Sequence, residues 1–137
     1  MNRTCGSVYG STLLLVLCTA VGRAQATTRL ELSVPTTTAA ADAAGMERGL
    51  RTGLSAAGLR VLPPSDTGAA RGWPASGARL LARARAMTMG ESLIIQASLV
   101  DVAAARVIAQ GSTRGAGAAL VDSAVALGRR LGRAAAP

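Results

Sequence analysis

Residues 93–112, LIIQASLVDVAAARVIAQGS, contain the pattern that most restricts how this chain can fold. Apolar side chains recur at every second position on both sides of an Ala-rich break, which is typical of two antiparallel strands with one buried face. Matching the two apolar rows gives three expected pairs: Leu99 with Val107, Ala97 with Ala109, and Ile95 with Gly111. A shift of one residue would place apolar side chains opposite polar ones, so the pattern predicts a hairpin in this register.

One carboxylate, that of Asp101, lies at the centre of this hairpin. A carboxylate at the start of a tight turn accepts hydrogen bonds from backbone N–H groups and stabilises the chain reversal. We favour this structural role for Asp101 over a role in ligand binding.

The segment before the hairpin also alternates. Small or apolar residues form one side and arginines the other: Leu80, Ala82, Ala84 and Ala86 against Arg79, Arg83 and Arg85. Ala, Leu and Arg are good helix formers, so a helix is the alternative, but the alternation favours a strand. A two-residue turn at Met89–Gly90 would place Ala86 opposite Leu93. We therefore predict a three-stranded antiparallel meander over residues 78–114.

Four further elements complete the pattern. They are a strand over residues 29–34, an amphipathic helix over 39–57, a short strand over 59–62 and a closing helix over 118–133, with a Pro- and Gly-rich loop at 63–77. The apolar residues of both helices recur at spacings of three and four, which gives each helix one apolar stripe. The order β-α-β-β-β-β-α predicts an α/β (α+β) two-layer sandwich, in which an antiparallel meander carries the helices on one face.

Three glycines, Gly45, Gly49 and Gly53, lie at a spacing of four inside the first helix. Glycine lowers helix stability by about 1 kcal/mol relative to alanine. We interpret these glycines as a result of GC-rich coding. Close approach of another backbone is the alternative.

The beginning of the chain has the layout of a secretory signal peptide. A basic residue precedes a short Leu- and Val-rich run, and Ala24 and Ala26 form a small-x-small cleavage signal. The apolar run is too short to span a bilayer. We predict a signal peptide over residues 1–26 and one small α/β domain over 27–137, exported to the periplasm or released from the cell. An uncleaved anchor and lipidation at Cys18 are the alternatives.

Composition excludes several kinds of chemistry. Both cysteines, Cys5 and Cys18, precede the predicted cleavage site, and the chain contains no His. Ser/His and Cys/His nucleophile pairs, and zinc sites with the usual ligands, are therefore excluded from residues 27–137. No Gly-rich phosphate loop follows a strand, and the seven carboxylates show no informative pairing. We expect no enzymatic activity, no cofactor and no metal ion, and a small hydrolase is the weakest hypothesis.

Every basic residue of the chain is an arginine. Removal of Arg3 and Arg23 with the signal leaves 13 arginines against 7 acidic residues, a net charge of about +6. This sign favours anionic partners such as lipid headgroups and anionic glycans. Nucleic acid is disfavoured, because an exported chain rarely meets it and the stacking aromatic residues of single-strand binders are absent.

The face of the predicted sheet opposite the helices is the candidate binding surface. Its candidate partner-binding residues, with one from the adjoining loop, are Arg79, Arg83, Arg85, Ile94, Gln96, Ile108, Gln110 and Trp73. In the predicted register Gln96 faces Gln110. The apolar content favours a partner surface, with an ordinary solvated face as the alternative. For Trp73 we favour packing at the edge of the core over a role as a partner anchor.

The arrangement of these segments resembles a known family. A first strand and amphipathic helix, then GLRVLP at 58–63, a hairpin and LVDVAAARVIAQGS at 99–112 are similar to the small periplasmic α/β domain of TolB amino-terminal type. Related domains occur in CsgG-like, FlgO-like and LpoB-like envelope proteins. Ala104 and Ala105 depart from the family, which commonly has Thr and Gly there, and Ala disfavours a positive φ. The resemblance implies an envelope accessory or assembly role and implies no catalytic residue.

Two main hypotheses follow. The first is a non-enzymatic envelope domain whose outer sheet face binds another envelope protein or a second copy of the chain. The second is a binder of anionic envelope polymers, glycans or lipid headgroups. Its binding groups would be Arg79, Arg83 and Arg85 together with the arginine cluster of residues 129–133, which contains Arg129, Arg130 and Arg133.

Overall fold

A computed structural model of the protein describes residues 26–63 and 78–135. Its elements, in chain order, are β1 (Thr27–Ser33), α1 (Ala40–Ala56), β2 (Arg60–Val61), β3 (Leu80–Met89), β4 (Ser92–Asp101), β5 (Arg106–Gly115) and α2 (Ala119–Ala135). The predicted two-layer α/β arrangement and its element order are confirmed. The predicted signal peptide up to Gln25 and the loop residue Trp73 lie outside the described residues.

The five strands form one mixed sheet in the order β2-β1-β3-β4-β5. β1 pairs in parallel with both β2 and β3, whereas β3, β4 and β5 are antiparallel neighbours. The predicted antiparallel meander is therefore confirmed. Neither described helix is both long enough and apolar enough to cross a membrane.

The β3–β4 turn lies one residue later than predicted. Met89 pairs with Ser92, so Gly90 and Glu91 form the turn, and Ala86 pairs with Ile95 rather than with Leu93. Gly90 has a φ of 61°, a conformation that glycine adopts without steric cost. The predicted pairing was wrong by two residues, which leaves each side chain on its predicted face.

The β4–β5 pairing was also predicted wrongly by two residues. Leu99 pairs with Ala109 instead of Val107, and the register shifts between Leu99 and Val100. Since Val100 pairs with Val107, the shift leaves Ile108 as the extra residue of a β-bulge. The bulge reverses two predictions, because Ile108 packs against the core whereas Val107 is 53% exposed.

The turn after β4 agrees with a structural role for Asp101. Its Oδ1 accepts a hydrogen bond of 3.1 Å from the backbone N–H of Ala104. Ala105 has a φ of 51°, which is unfavourable for a residue with a Cβ. The departure from glycine at this position therefore leaves a strained backbone conformation in the turn.

The core lies between one face of the sheet and the two helices. Its fully buried large side chains come from α1, β4 and α2: Met46, Leu50, Leu54, Ile95, Leu99, Leu120 and Leu127. After Leu80 at its start, β3 contributes the small side chains of Ala82, Ala84 and Ala86 along this core. Small side chains on β3 leave room for the larger ones of the helices and of β4, as close packing requires.

The glycines of α1 allow the two helices to approach closely, so their interpretation as a product of coding was wrong. A Cβ atom added at Gly49 would lie 2.7 Å from the carbonyl oxygen of Val121. One at Gly53 would lie 2.7 Å from the backbone nitrogen of Arg129, and one at Gly128 would lie 2.6 Å from the carbonyl oxygen of Leu50. The two backbones are therefore in direct contact, and any side chain at these positions would separate the helices.

Candidate functional site

The outer face of the sheet, opposite the helices, brings polar side chains from three strands together. They form two rows across β3, β4 and β5: Arg83, Ser98 and Gln110 in one, and Arg85, Gln96 and Ser112 in the other. An open depression is lined by these six residues, which we call the polar centre, together with the backbone near Ala97 and Gly111. Strand alternation explains the arrangement, since each residue lies two positions from the next on its strand.

Most side chains of the polar centre have no partner within the part of the chain that is described. Arg85, Gln96, Ser98 and Gln110 make no side-chain hydrogen bond or ion pair with any described residue. Arg83 is 65% exposed, and its Nε lies 3.9 Å from Oε2 of Glu31. An exposed pair at this separation contributes little to stability, so these groups remain available to a ligand.

Apolar side chains flank the polar centre at both ends of the strands. At one end Val100 and Val107 pair across β4 and β5, and we call this the valine end. At the other end Met87 and Ile94 pair across β3 and β4, with Met89 beyond them, and we call this the methionine end. Among the described residues, Val107 and Met89 are the two exposed large apolar side chains, at 53% and 52%. Along β3 and β4 the outer face is thus apolar, then basic and polar, then apolar. On β5, the exposed Arg114 lies opposite Ile94 at the margin of the methionine end.

The β5 edge of the sheet offers little to an added strand. There, Nη2 of Arg130 donates to the carbonyl oxygen of Ser112 at 3.1 Å, and Oγ of Ser123 donates to that of Arg114 at 3.2 Å. These α2 side chains occupy acceptors of the edge strand, and the bulge in β5 further disrupts its ladder. At the opposite edge, β2 has only two residues and covers only the start of β1 among the described residues.

The structure gathers only part of the predicted site. Arg83, Arg85, Gln96 and Gln110 lie together in the polar centre, but Gln96 faces Ser112, so its predicted pairing with Gln110 was wrong.

The other predicted residues lie elsewhere. Ile94 is half-buried at the methionine end, and Arg79 lies just before β3. Ile108, predicted on the outer face, packs against the core because of the bulge. The arginines at 129–133 belong to α2, in the helical layer, so the predicted arginine surface is divided between two layers.

Sequence reasoning missed Ser98, Ser112 and Val107 on the outer face. The serines lie two residues after Gln96 and Gln110, so the alternation alone would have placed them on the same face. Val107 could not be found in this way, because the bulge changes the alternation.

The polar centre presents guanidinium, amide and hydroxyl groups, which suit recognition of carboxylates and other oxygen-bearing anions. Among residues 26–63 and 78–135, no three His, Cys, Asp or Glu side chains come together as candidate metal ligands.

Comparison with known proteins places the fold. No family model and no curated protein matches the chain. Among solved structures, TolB from Acinetobacter baumannii has a TM-score of 0.61 at 11% identity, covering 82% of this chain and 28% of TolB. The PelC dodecamer from Paraburkholderia phytofirmans has a TM-score of 0.51 at 20% identity over 82% of this chain and 87% of that one. The LpoB C-terminal domain from Salmonella enterica has a TM-score of 0.52 at 14% identity over 70% and 87%.

These similarities concern the fold. TolB and LpoB are two of the groups that the sequence pattern resembles, and both share the α/β fold of this chain at low sequence identity. The fold that the resemblance implied is therefore present, and function has to be argued from the surface.

Proposed function

We propose that this protein is a non-enzymatic, exported accessory or assembly domain of the cell envelope, and that it binds another envelope protein through the outer face of its sheet. The observation that carries the proposal is the composition of that face. Most side chains of the polar centre have no partner among the described residues, and the centre lies between two apolar ends on β3 and β4. Exposed apolar groups beside unpaired polar groups are typical of protein-binding surfaces.

Two further observations support the envelope setting. The chain begins with a signal-peptide pattern ending at Ala26, and residues 27–137 are the proposed exported domain. The fold is shared with TolB and with the LpoB C-terminal domain, whose names belong to the envelope proteins that the sequence resembles. The absence of His and Cys after residue 26 excludes Ser/His and Cys/His nucleophile pairs, which supports a non-enzymatic role.

A second candidate function is the binding of an anionic envelope polymer or lipid headgroup. It is favoured by Arg85, which has no partner among the described residues, and by Arg83, which only Glu31 approaches there. Such binding depends on charge alone, so it should fall steeply between low and high ionic strength. Binding that includes the apolar ends should retain a substantial part of its affinity in high salt.

Self-association through the same face is a third candidate function. PelC from Paraburkholderia phytofirmans is a dodecamer, and this makes a second copy of the chain a candidate partner. The net charge of about +6 on residues 27–137 opposes self-association, because like-charged copies repel.

Site-specific photocrosslinking tests the proposal. A photoreactive residue replaces Gln96 in the polar centre, and a matched control replaces Ala44, which is exposed on α1 in the helical layer. Both full chains are exported in living cells and irradiated. We expect a discrete protein adduct from position 96 that is absent from position 44 and is reduced by Arg83→Glu with Arg85→Glu.

The identity of the adduct separates the candidates. An adduct with a glycan or lipid supports the second candidate, and an adduct with the chain itself supports self-association. Identical adducts from positions 44 and 96, or none from position 96, would contradict a binding role for the outer face.

A further inference from the structure

We infer that the outer face binds an amphipathic helix of the partner, with acidic residues in its central turns and apolar residues at both ends. This inference rests on the proposed function and specifies the chemistry of the partner. It follows from the length, width and charge layout of the outer face.

The length of the face fits a helix of moderate size. Ile94 at the methionine end and Val100 at the valine end are six residues apart on β4. At about 3.3 Å per residue, this separation is about 20 Å. A helix rises about 1.5 Å per residue, so about 13 residues span the same distance.

The width of the face also suits one helix. The polar centre and its apolar ends lie on three adjacent strands, β3, β4 and β5, whose outer members are about 10 Å apart. Beyond β3 the outer face continues onto β1, where Glu31 is the register partner of Arg83. A helix with its side chains is about 10–12 Å in diameter. An extended strand would instead seek an open edge, and at the β5 edge, beside the polar centre, Arg130 and Ser123 occupy two backbone acceptors.

The charge layout selects acidic residues for the centre of the helix. Arg83 and Arg85 project there, whereas Arg114 lies at the β5 margin, opposite Ile94. Among the described residues, Glu31 is the one acid that forms an ion pair with Arg83 or Arg85. Glu31 is already shared, because its Oε1 lies 3.8 Å from Nε of Arg29. Glutamates in the middle turns would supply the missing partners, and Gln96 and Gln110 could donate to the same carboxylates.

The layout of the face disfavours the two other candidate ligands, an anionic polymer and a second copy of the chain. Met89 and Val107 are about half exposed and give a polyanion nothing to bind. A second copy docked by two-fold symmetry would bring the same patch against itself, so the arginines of one copy would face those of the other. An acid-centred amphipathic helix satisfies both kinds of surface at once.

Two synthetic peptides of identical composition test the inference. Each has about 18 residues and a side-chain staple, because short free helices are marginally stable in water. The centre-acid peptide has glutamates in its middle turns and leucines in its end turns on one face, and the end-acid peptide reverses that order. Binding to the full exported chain is measured by fluorescence anisotropy at about 0.15 M salt.

We expect the centre-acid peptide to bind at least about tenfold more tightly than the end-acid peptide. The double variant Arg83→Glu with Arg85→Glu should lower the affinity for the centre-acid peptide by a similar factor. The double variant Met89→Ser with Val107→Ser should lower the same affinity several-fold. A lysine-centred peptide should regain affinity for the arginine-to-glutamate variant, a rescue that an unfolded variant could not show.

Other results would overturn the inference. Equal affinities for the two peptides would show that the partner is not a helix with this pattern. Tighter binding of polyglutamate or of a carboxylated polysaccharide than of the centre-acid peptide would indicate an anionic polymer as the ligand. Sedimentation as a dimer that excludes both peptides indicates a second copy. If position 96 still crosslinks to an envelope protein while the peptides bind equally, the proposed function stands and the helical partner is wrong.

Discussion

The two faces of the β3–β4–β5 meander differ although they are made from alternate residues of the same three strands. On the core face Ile95 and Leu99 are fully buried against the helices, beside the small side chains of β3. On the outer face Arg85 and Gln96 are exposed, and their side chains have no partner among the described residues. The contrast separates two tasks, since one face supplies folding free energy and the other, in the proposed function, presents groups to a partner. Substitutions on the two faces should therefore change different measurements.

The largest effect should come from the core face of β4. Leu99→Ala removes a fully buried side chain and leaves a cavity, so we expect the free energy of unfolding to fall by about 2–5 kcal/mol. Gln96→Ala on the outer face of the same strand is the control and should change it by less than about 0.5 kcal/mol. Urea unfolding followed by circular dichroism measures both. Similar losses of unfolding free energy for the two variants would show that the two faces contribute equally to stability, contrary to this interpretation.

The helix–helix contact behind the core face should be the next most sensitive place. Gly53→Ala would force a Cβ into the backbone of α2, and we expect a loss of about 1–3 kcal/mol despite the higher helix propensity of alanine. Gly45→Ala is the control, because its Cβ would meet only the Val121 side chain at 3.1 Å. In thermal melts, the midpoint of Gly45→Ala should be higher than that of Gly53→Ala. The reverse order would mean that the two helices can separate at little cost.

A smaller effect of opposite sign should come from the turn that joins β4 to β5. Ala105→Gly relieves a φ of 51° and should raise the free energy of unfolding by about 1 kcal/mol. Ala104→Gly, one residue earlier and without a positive φ, should lower it by about 0.4–1 kcal/mol. Chemical denaturation of the two variants gives the comparison, and a loss of stability in both would show that the turn conformation stores no strain.

The smallest effect on stability should come from the β5 edge, where the two faces meet. Arg130→Ala removes the donor to the Ser112 carbonyl, an exposed contact, and we expect less than about 1 kcal/mol of destabilisation. Its clearer consequence should be concentration-dependent association through the uncovered edge, seen by size-exclusion chromatography. Arg129→Ala, an exposed neighbour on α2, is the control. A monomeric Arg130→Ala at high concentration would show that the bulge alone protects the edge.

The alternation of apolar residues predicted the faces of β3 and β4 correctly even where the pairing was wrong. Both hairpins differ from the predicted register by two residues, and a shift of two keeps every side chain on its face. The candidate site was therefore predicted in part, with Arg83, Arg85, Gln96 and Gln110 on one surface. Ile108 and Val107 exchanged places because a bulge is a property of two paired strands and leaves no clear mark on one of them.

By itself, the sequence determined the element order, the buried stripes of the helices and the positive charge of the outer face, because each depends on spacing along one chain. The tertiary structure alone decided which residues pair, which glycines are required and which edges are covered. Gly53 shows the reason, since its need for a missing Cβ arises from the backbone of α2, at the other end of the domain in sequence. Contacts between distant segments decide such features, and local patterns do not encode them.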